Sequence, residues 1–356
     1  MTKNKEKVIS GIQQVGIGVT NLHKAWKWYR KHFSMDIRIF EDVAVAKLML
    51  PYTEGLERER HASLAMNMQG GGGFEIWQHM GKIPEAHTFE IKIGDLGIFS
   101  AKIKTNKIHE AYNQLSKDGI ELLGEIEKDP SGNEHFYVKD PYNNIFEFVD
   151  SSFIFNNDKS LNGGIYGVTI GVSDFEKAKT VYCDILGYDV IVYDFESHFE
   201  DLYPLPGGKE KIRRILLRSS SKPQGPFSPF FGPSEIELVQ VVSRKPKRIY
   251  EDRIWGDLGF IHLCFDIVNM DALREYCSKK GFPFTVDSES SFDMGVAAGH
   301  FSYIADPDGT LIEFVETHKL PIIKKLGWNM NLKKRDPNNP LPKWMLKTLA
   351  WGRIRD

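Results

Sequence analysis

The sequence is short of cysteine, of long apolar runs and of any excess of charge, and each shortage closes off a class of function. Three cysteines in 356 residues (Cys183, Cys264 and Cys277) are too few, too scattered and odd in number for a disulfide framework or a cysteine-rich zinc site. They fit reduced thiols and point to a cytoplasmic protein. No run of eighteen apolar residues occurs, so no membrane-spanning helix is expected. The opening MTKNKEKVISGIQQVG carries charges with no apolar stretch behind them, unlike a secretory signal. A net charge of −2 leaves no basic surplus for a polyanion, so nucleic acid is not an expected partner.

What is there is an ordinary globular composition, 41% hydrophobic and 26% charged, enough to bury a sizeable core. The length suits about two to three domains. The informative feature is repetition. Residues 14–40, QVGIGVTNLHKAWKWYRKHFSMDIRIF, align without a gap on residues 167–193, GVTIGVSDFEKAKTVYCDILGYDVIVY. Val15, Ile17, Gly18, Val19, Lys24, Ala25, Tyr29 and Asp36 recur as Val168, Ile170, Gly171, Val172, Lys177, Ala178, Tyr182 and Asp189. Period-two alternation predicts a strand, then a helix capped by Asn21 or Asp174, then a second strand, with Gly187 ending the second helix. A second pair repeats as well. IHEAYNQLSKDG (108–119) matches MDALREYCSKKG (270–281), and DPYNNIFEFVD (140–150) matches DPDGTLIEFVE (306–316). The latter two read as a turn leading into a strand with a carboxylate at its centre.

Four units follow, at about 10–80, 95–150, 163–242 and 257–317. Taken in chain order they make a first module over 1–150 and a second over 163–317, with 151–162 as a polar linker. Units one and three carry long inserts, ending at Gly70 to Gly73 in one and running through SSSKPQGPFSPFFGPS (219–234) in the other. Both read as flexible loops over a cavity. Beyond the repeats, residues 317–356 hold ten Lys or Arg against two acidic residues, and KWMLKTLAWGRIRD reads as a short amphipathic helix. It is expected to dock on the body or on another subunit rather than on a membrane, so a homodimer stays open.

VTNLHKAWKWY (19–29), VSDFEKAKTVY (172–182) and DPDGTLIEFVE (306–316) resemble the marks of the vicinal oxygen chelate superfamily, which joins glyoxalases, bleomycin resistance proteins and ring-cleaving dioxygenases. The resemblance covers all four units. It implies an α+β fold of four βαβββ units that close in pairs into two half-barrel cavities, with a divalent metal held by residues from the first and last strands of a unit. The first-strand ligand of the family falls at Gln14, Ser100, Gly167 and His262. The last-strand carboxylate falls at Glu75, Glu147, Glu237 and Glu313.

A carboxylate in the middle of an apolar strand needs compensation, and a cation supplies it. The plainer reading is an outward-facing Glu on a half-exposed strand, and it weighs most at Glu147. His262, in FIHLCFDI, is otherwise a satisfied core histidine. If neighbouring units pair, each cavity lacks a ligand. If units one and four pair, one cavity holds Gln14, Glu75, His262 and Glu313, and a second, degenerate one holds Ser100, Glu147, Gly167 and Glu237. The crossed arrangement is favoured because it leaves one full set, similar to the ligand pattern of eukaryotic-type glyoxalase I.

That full set is rich in oxygen and suits Zn²⁺, Ni²⁺, Co²⁺, Mn²⁺ or Mg²⁺, with Fe²⁺ not excluded. The resemblance then implies an isomerase, epimerase or lyase acting through an enediolate on a small substrate with adjacent oxygens. Glu313 or Glu75 would be the catalytic base. Ring-cleaving dioxygenases use two histidines and one carboxylate, and only one histidine stands at these positions. The alternative is a metal-free protein that sequesters a small molecule, of the bleomycin-resistance kind. Trp77, Phe260, Phe301 and His300 are further candidates for the cavity, and Arg58, Arg60, Arg213 and Arg214 for an anionic substrate.

Overall fold

In the computed structural model, residues 6–289, 292–293, 298–323 and 328–355 are described. The first unit is β1 (Val8–Gly18), α1 (Leu22–Phe33), β2 (Ile37–Val45), β3 (Glu59–Met66) and β4 (Gly73–His79). The second is β5 (Gly97–Thr105), α2 (Ile108–Lys117), β6 (Leu122–Lys128), β7 (Glu134–Lys139) and β8 (Ile145–Asp150). The third is β9 (Asn162–Gly171), α3 (Phe175–Lys179), β10 (Val190–Ser197), β11 (Ile212–Arg218), α4 (Ser228–Phe231) and β12 (Glu235–Val241). The fourth is β13 (Gly259–Val268), α5 (Met270–Lys279), β14 (Val286–Asp287), β15 (Phe292–Asp293), β16 (Ala298–Ala305) and β17 (Leu311–Thr317). The fold is therefore α+β, with the βαβββ order repeated. No helix among the described residues is long and apolar enough to cross a membrane.

Local chemistry starts α1 and α3 where the sequence predicts. Asn21 Oδ1 accepts from the Lys24 amide at 2.9 Å and Asp174 Oδ1 from the Lys177 amide at 3.2 Å. The helix that α3 begins widens into a π-helical turn over Thr180–Ile185 before Gly187 adopts φ +80°.

Strand pairing is crossed. β1 of unit one runs antiparallel to β13 of unit four, and one sheet has the order β14-β16-β17-β13-β1-β4-β3-β2, with β15 on β16. β5 of unit two runs antiparallel to β9 of unit three, giving β10-β11-β12-β9-β5-β8-β7-β6. Each half of the chain thus supplies half of each sheet. The repeated tyrosines and the DP turns tie units within a half instead. Tyr29 donates to Asp140 Oδ2 at 2.6 Å, and Tyr182 to Asp306 Oδ2 at 2.8 Å. Asp140 also accepts from the amides of Tyr142 and Asn144, so one buried carboxylate shapes its turn and anchors a helix from the preceding unit.

The glycine run of unit one differs from the expected flexible loop. Gly70 to Gly73 are buried, and Gly72 exchanges backbone hydrogen bonds with Ile165 across the two sheets. A Cβ on Gly71 would lie 2.8 Å from the Ile165 carbonyl and one on Gly73 2.4 Å from that of Ala65. The glycines are there for close approach of backbones. The insert of unit three does cover a cavity, but as ordered structure, with Phe230 and Phe231 of α4 buried.

The tail forms a hairpin, β18 (Lys319–Ile323) with β19 (Trp328–Asn331), and then α6 (Lys343–Lys347) running into a 3-10 turn over Thr348–Gly352. Leu341, Met345 and Leu346 pack with Leu64, Met66, Phe230 and Phe231. Arg353 fastens the end to Asp36 and Asp158. The tail docks on the body.

Because both sheets take their central strands from different halves, a fragment ending near residue 156 would expose β1 and β5 as unpaired edges. We expect fragments 1–156 and 157–356 to be unfolded or aggregated when expressed alone and to give one folded species when co-expressed. Circular dichroism and size-exclusion chromatography check this, and a cooperative, monomeric 1–156 fragment would contradict it.

Candidate metal centre

The crossed pairing brings Gln14, Glu75, His262 and Glu313 to one place. β1 and β13 are adjacent central strands carrying Gln14 and His262, and β4 and β17 flank them with Glu75 and Glu313. Gly16 stands opposite both Glu75 and His262 in the register. A Cβ there would fall 2.5 Å from the imidazole, so the glycine makes the room that His262 occupies. His262 Nε2 lies 3.2 Å from Glu75 Oε2 and 3.1 Å from Glu313 Oε2. Gln14 Nε2 lies 3.3 Å from the same Glu75 oxygen and 3.4 Å from the same Glu313 oxygen.

These spacings fit a cation. Donors about 2.0–2.2 Å from one ion sit roughly 3.0–3.6 Å apart. Both ring nitrogens of His262 and the Gln14 Oε1 are buried without an aligned hydrogen-bond partner. The imidazole approaches the carboxylates as one corner of a cluster rather than as a directed donor. Turning the Gln14 amide end for end presents its oxygen to the carboxylates, an arrangement that only a cation favours. Burial alone would push the His262 imidazole down, yet Glu313 and Glu75 outweigh it and raise it to about 10. Glu313 is buried too, but His262, Tyr303 and Cys264 hold it below the usual carboxylate range. Either a proton on His262 or a metal ion must offset these two carboxylates.

Over the cluster lies a chamber of about 130 Å³. Gln14, Glu75 and Glu313 form its polar floor, and Ile39, Phe40, Leu64, Met66, Phe301 and Val315 its walls. Phe227, Phe230 and Phe231 from the unit-three insert and Leu349 from the tail close it. No Lys or Arg lines it among the described residues. A larger hollow of about 500 Å³, lined by Tyr52, Arg248 and Arg253, contains none of the four residues.

The corresponding positions in the other sheet carry a different chemistry. Glu147 and Glu237 point inward and are buried, not outward as the plainer reading has it for Glu147. Protein cations neutralise them. Lys102 Nζ lies 2.9 Å from Glu237, 3.1 Å from Glu235 and 3.5 Å from Glu147. Arg214 lies 2.6 Å from both Glu237 and Asp201, and His135 Nδ1 lies 2.9 Å from Glu147. Ser100 Oγ is buried without a partner. At Gly167 a Cβ would meet the Glu235 carbonyl at 2.2 Å, which excludes a ligating side chain without backbone movement. The register puts Lys102 opposite Glu147 as Cys264 stands opposite Glu313. A lysine in the apolar strand IFSAKIKT was the available signal for this filled cavity, and sequence reasoning missed it.

Other sequence candidates are placed elsewhere. Phe301 lines the chamber, but Trp77 packs on Trp255 with ring centroids 4.4 Å apart and Phe260 on Phe146 at 5.3 Å. His300 does not line the chamber. It is buried on β16 with Nε2 2.5 Å from Asp287. The arginines are engaged, Arg58 with Glu54, Arg60 with Asp42, Arg213 with Asp194, and Arg214 inside the second cavity. None lines the chamber to meet an anion.

The model of the Glyoxalase/Bleomycin resistance protein/Dioxygenase superfamily matches residues 11–148 and 164–314, and the chain belongs to this superfamily. Among solved structures, a variant of glyoxalase I from Zea mays aligns with a TM-score of 0.55 at 13% identity, covering 87% of this chain and 92% of that one. A proposed dioxygenase from Bacillus subtilis also aligns with a TM-score of 0.55 at 13% identity, covering 87% and 86%. At such identities the likeness is one of fold. No curated protein matches the chain.

The filled cavity makes stability depend on pH. Burial would push His135 down, but Asp201 and Glu147 raise it from 6.5 to about 9. A raised imidazole contributes stability that is complete below its unfolded value and is lost as pH climbs through the folded value, here on the order of 3 kcal/mol. We expect Tm to fall between about pH 7 and about pH 10 and the fall to flatten in His135→Gln. Thermal melts across that range check it, and parallel profiles for the two proteins would refute the assignment.

Proposed function

We propose that the protein is a metal-dependent enzyme that removes a proton next to a carbonyl in a small substrate with two adjacent oxygens, as an isomerase, epimerase or lyase. The observation that carries this reading is the convergence of Gln14, Glu75, His262 and Glu313 on one point, with no Lys or Arg beside the two carboxylates among the described residues. These four residues would hold a divalent ion of the Zn, Ni, Co, Mn or Fe kind. When bound, such an ion supplies Lewis acidity that stabilises an enediolate.

The chain's own residues divide the remaining work. The Tyr303 hydroxyl and Cys264 help His262 to keep the nearby Glu313 carboxylate in the charged form. Glu75 is contacted by Gln14 and His262 and is the more exposed of the two carboxylates, so it is the freer to take the proton. The chamber selects a compact apolar or aromatic body, since a dry apolar cavity of about this size accommodates one benzene-sized group. The aromatic cover excludes water from the reacting carbon. One histidine among four ligands argues against ring-cleaving oxygen chemistry.

The apolar walls also favour a second reading, a metal-free protein that sequesters a small apolar molecule. Metal analysis after exhaustive dialysis separates the two. The enzyme reading expects about one tightly held divalent ion per chain, lost in His262→Ala. It further expects catalysed exchange of solvent deuterium into a panel of small 2-hydroxyketones, abolished in Glu75→Gln and reduced in Glu313→Gln. No metal, together with tight binding of an aromatic probe, would overturn it in favour of sequestration.

A further inference from the structure

The β2–β3 hairpin has two faces. Phe40 and Leu64, opposite each other in the register, line the chamber. On the other face Glu41 stands opposite Ser63 and Val43 opposite His61, so Glu41 and His61 are diagonal neighbours. His23, in the first turn of α1, reaches the same spot. His61 Nε2 lies 3.1 Å and His23 Nε2 3.4 Å from a single oxygen, Glu41 Oε1. One donor atom from each of the three side chains falls within 4.8 Å of the other two. The two imidazole rings meet edge to face at 5.3 Å. Glu41's other oxygen accepts from Arg38 Nη1 at 3.3 Å, which orients the carboxylate.

We propose that His23, Glu41 and His61 form a second metal site, on the surface, for a borderline divalent transition ion of the zinc type. Two nitrogens and one oxygen converging from separate elements present three lone-pair donors to one point, and the two nitrogen-to-oxygen spacings, 3.1 and 3.4 Å, match edges of a tetrahedron around zinc. Two imidazole donors disfavour Mg²⁺ and Ca²⁺, which take oxygen ligands. The side chain of His23 is 68% exposed, so the open side admits water as a fourth ligand. The ion ties the start of α1 to the hairpin that walls the chamber. This site stands on different residues from the buried cluster and does not depend on the function proposed for that cluster.

The test is calorimetric titration of the full-length, metal-stripped protein with Zn²⁺, repeated with Co²⁺ by visible absorption. If both sites bind, the parent takes up about two ions, and His262→Ala keeps the surface one. His23→Ala and His61→Asn each weaken the surface ion at least about tenfold while the buried ion stays. Zn²⁺ should raise the Tm of His262→Ala and lose that effect in His262→Ala/His61→Asn. His23 is exposed, so its replacement reads binding without a folding defect. Unchanged zinc number and affinity in both His23→Ala and His61→Asn would overturn the proposal. If the buried site alone fails, the parent binds one ion that His23→Ala removes and His262→Ala does not.

Discussion

Buried carboxylates on apolar strands must be compensated, and the molecule meets this demand in two different ways. Transferring an ionised carboxylate from water into a protein interior costs several kcal/mol unless a cation or several donors replace its solvation. In the sheet built from units two and three, Lys102, Arg214, Arg218 and a protonated His135 stand among Glu147, Glu235, Glu237 and Asp201, four cations to four carboxylates, and the charges close on themselves. In the sheet built from units one and four, Glu75 and Glu313 have neutral neighbours such as Gln14 and, among the described residues, the His262 imidazole as their one ion-pair partner. The same frame thus produces a sealed electrostatic core on one side and an incompletely balanced cluster under an apolar chamber on the other. That imbalance gives the second cluster its chemical interest.

The crossed topology is what makes the difference between cavities possible. β1 and β13 come from opposite ends of the chain, so each residue of the cluster is held by a central strand or its direct neighbour. Rigid placement of this kind suits a site whose geometry must be held closely. The chamber's cover has the opposite origin. It is assembled from an insert of unit three and from the tail, segments outside the strands of the two sheets.

The fold was legible because its signals are local. Caps at Asn21 and Asp174, period-two strands, and the DP turns recur at matched spacing, and each reports on a few neighbouring residues. The candidate ligands were legible as positions on strands through the superfamily resemblance. The cation partners in the second cavity were not. Lys102 gives no sign in the sequence of the role it plays, and Arg214 reads there as a contact for an anionic substrate, because burial of a long basic side chain depends on carboxylates contributed by distant strands. The glycine run misled for a related reason. Gly70 to Gly73 have the composition of a flexible loop, yet their lack of Cβ serves contact with Ile12, Ala65 and Ile165.

By itself, the sequence determined the unit, its number and its order, since hydrophobic periodicity, capping and turn chemistry act over spans of a few residues. It also determined which strands carry a carboxylate or an imidazole at their centres. Only the tertiary structure decided which of those strands meet. The pairing of β1 with β13 rather than β5 is a long-range choice between edges of nearly identical pattern. It turns on how complete side-chain shapes and charges fit across each sheet, and no local pattern encodes that.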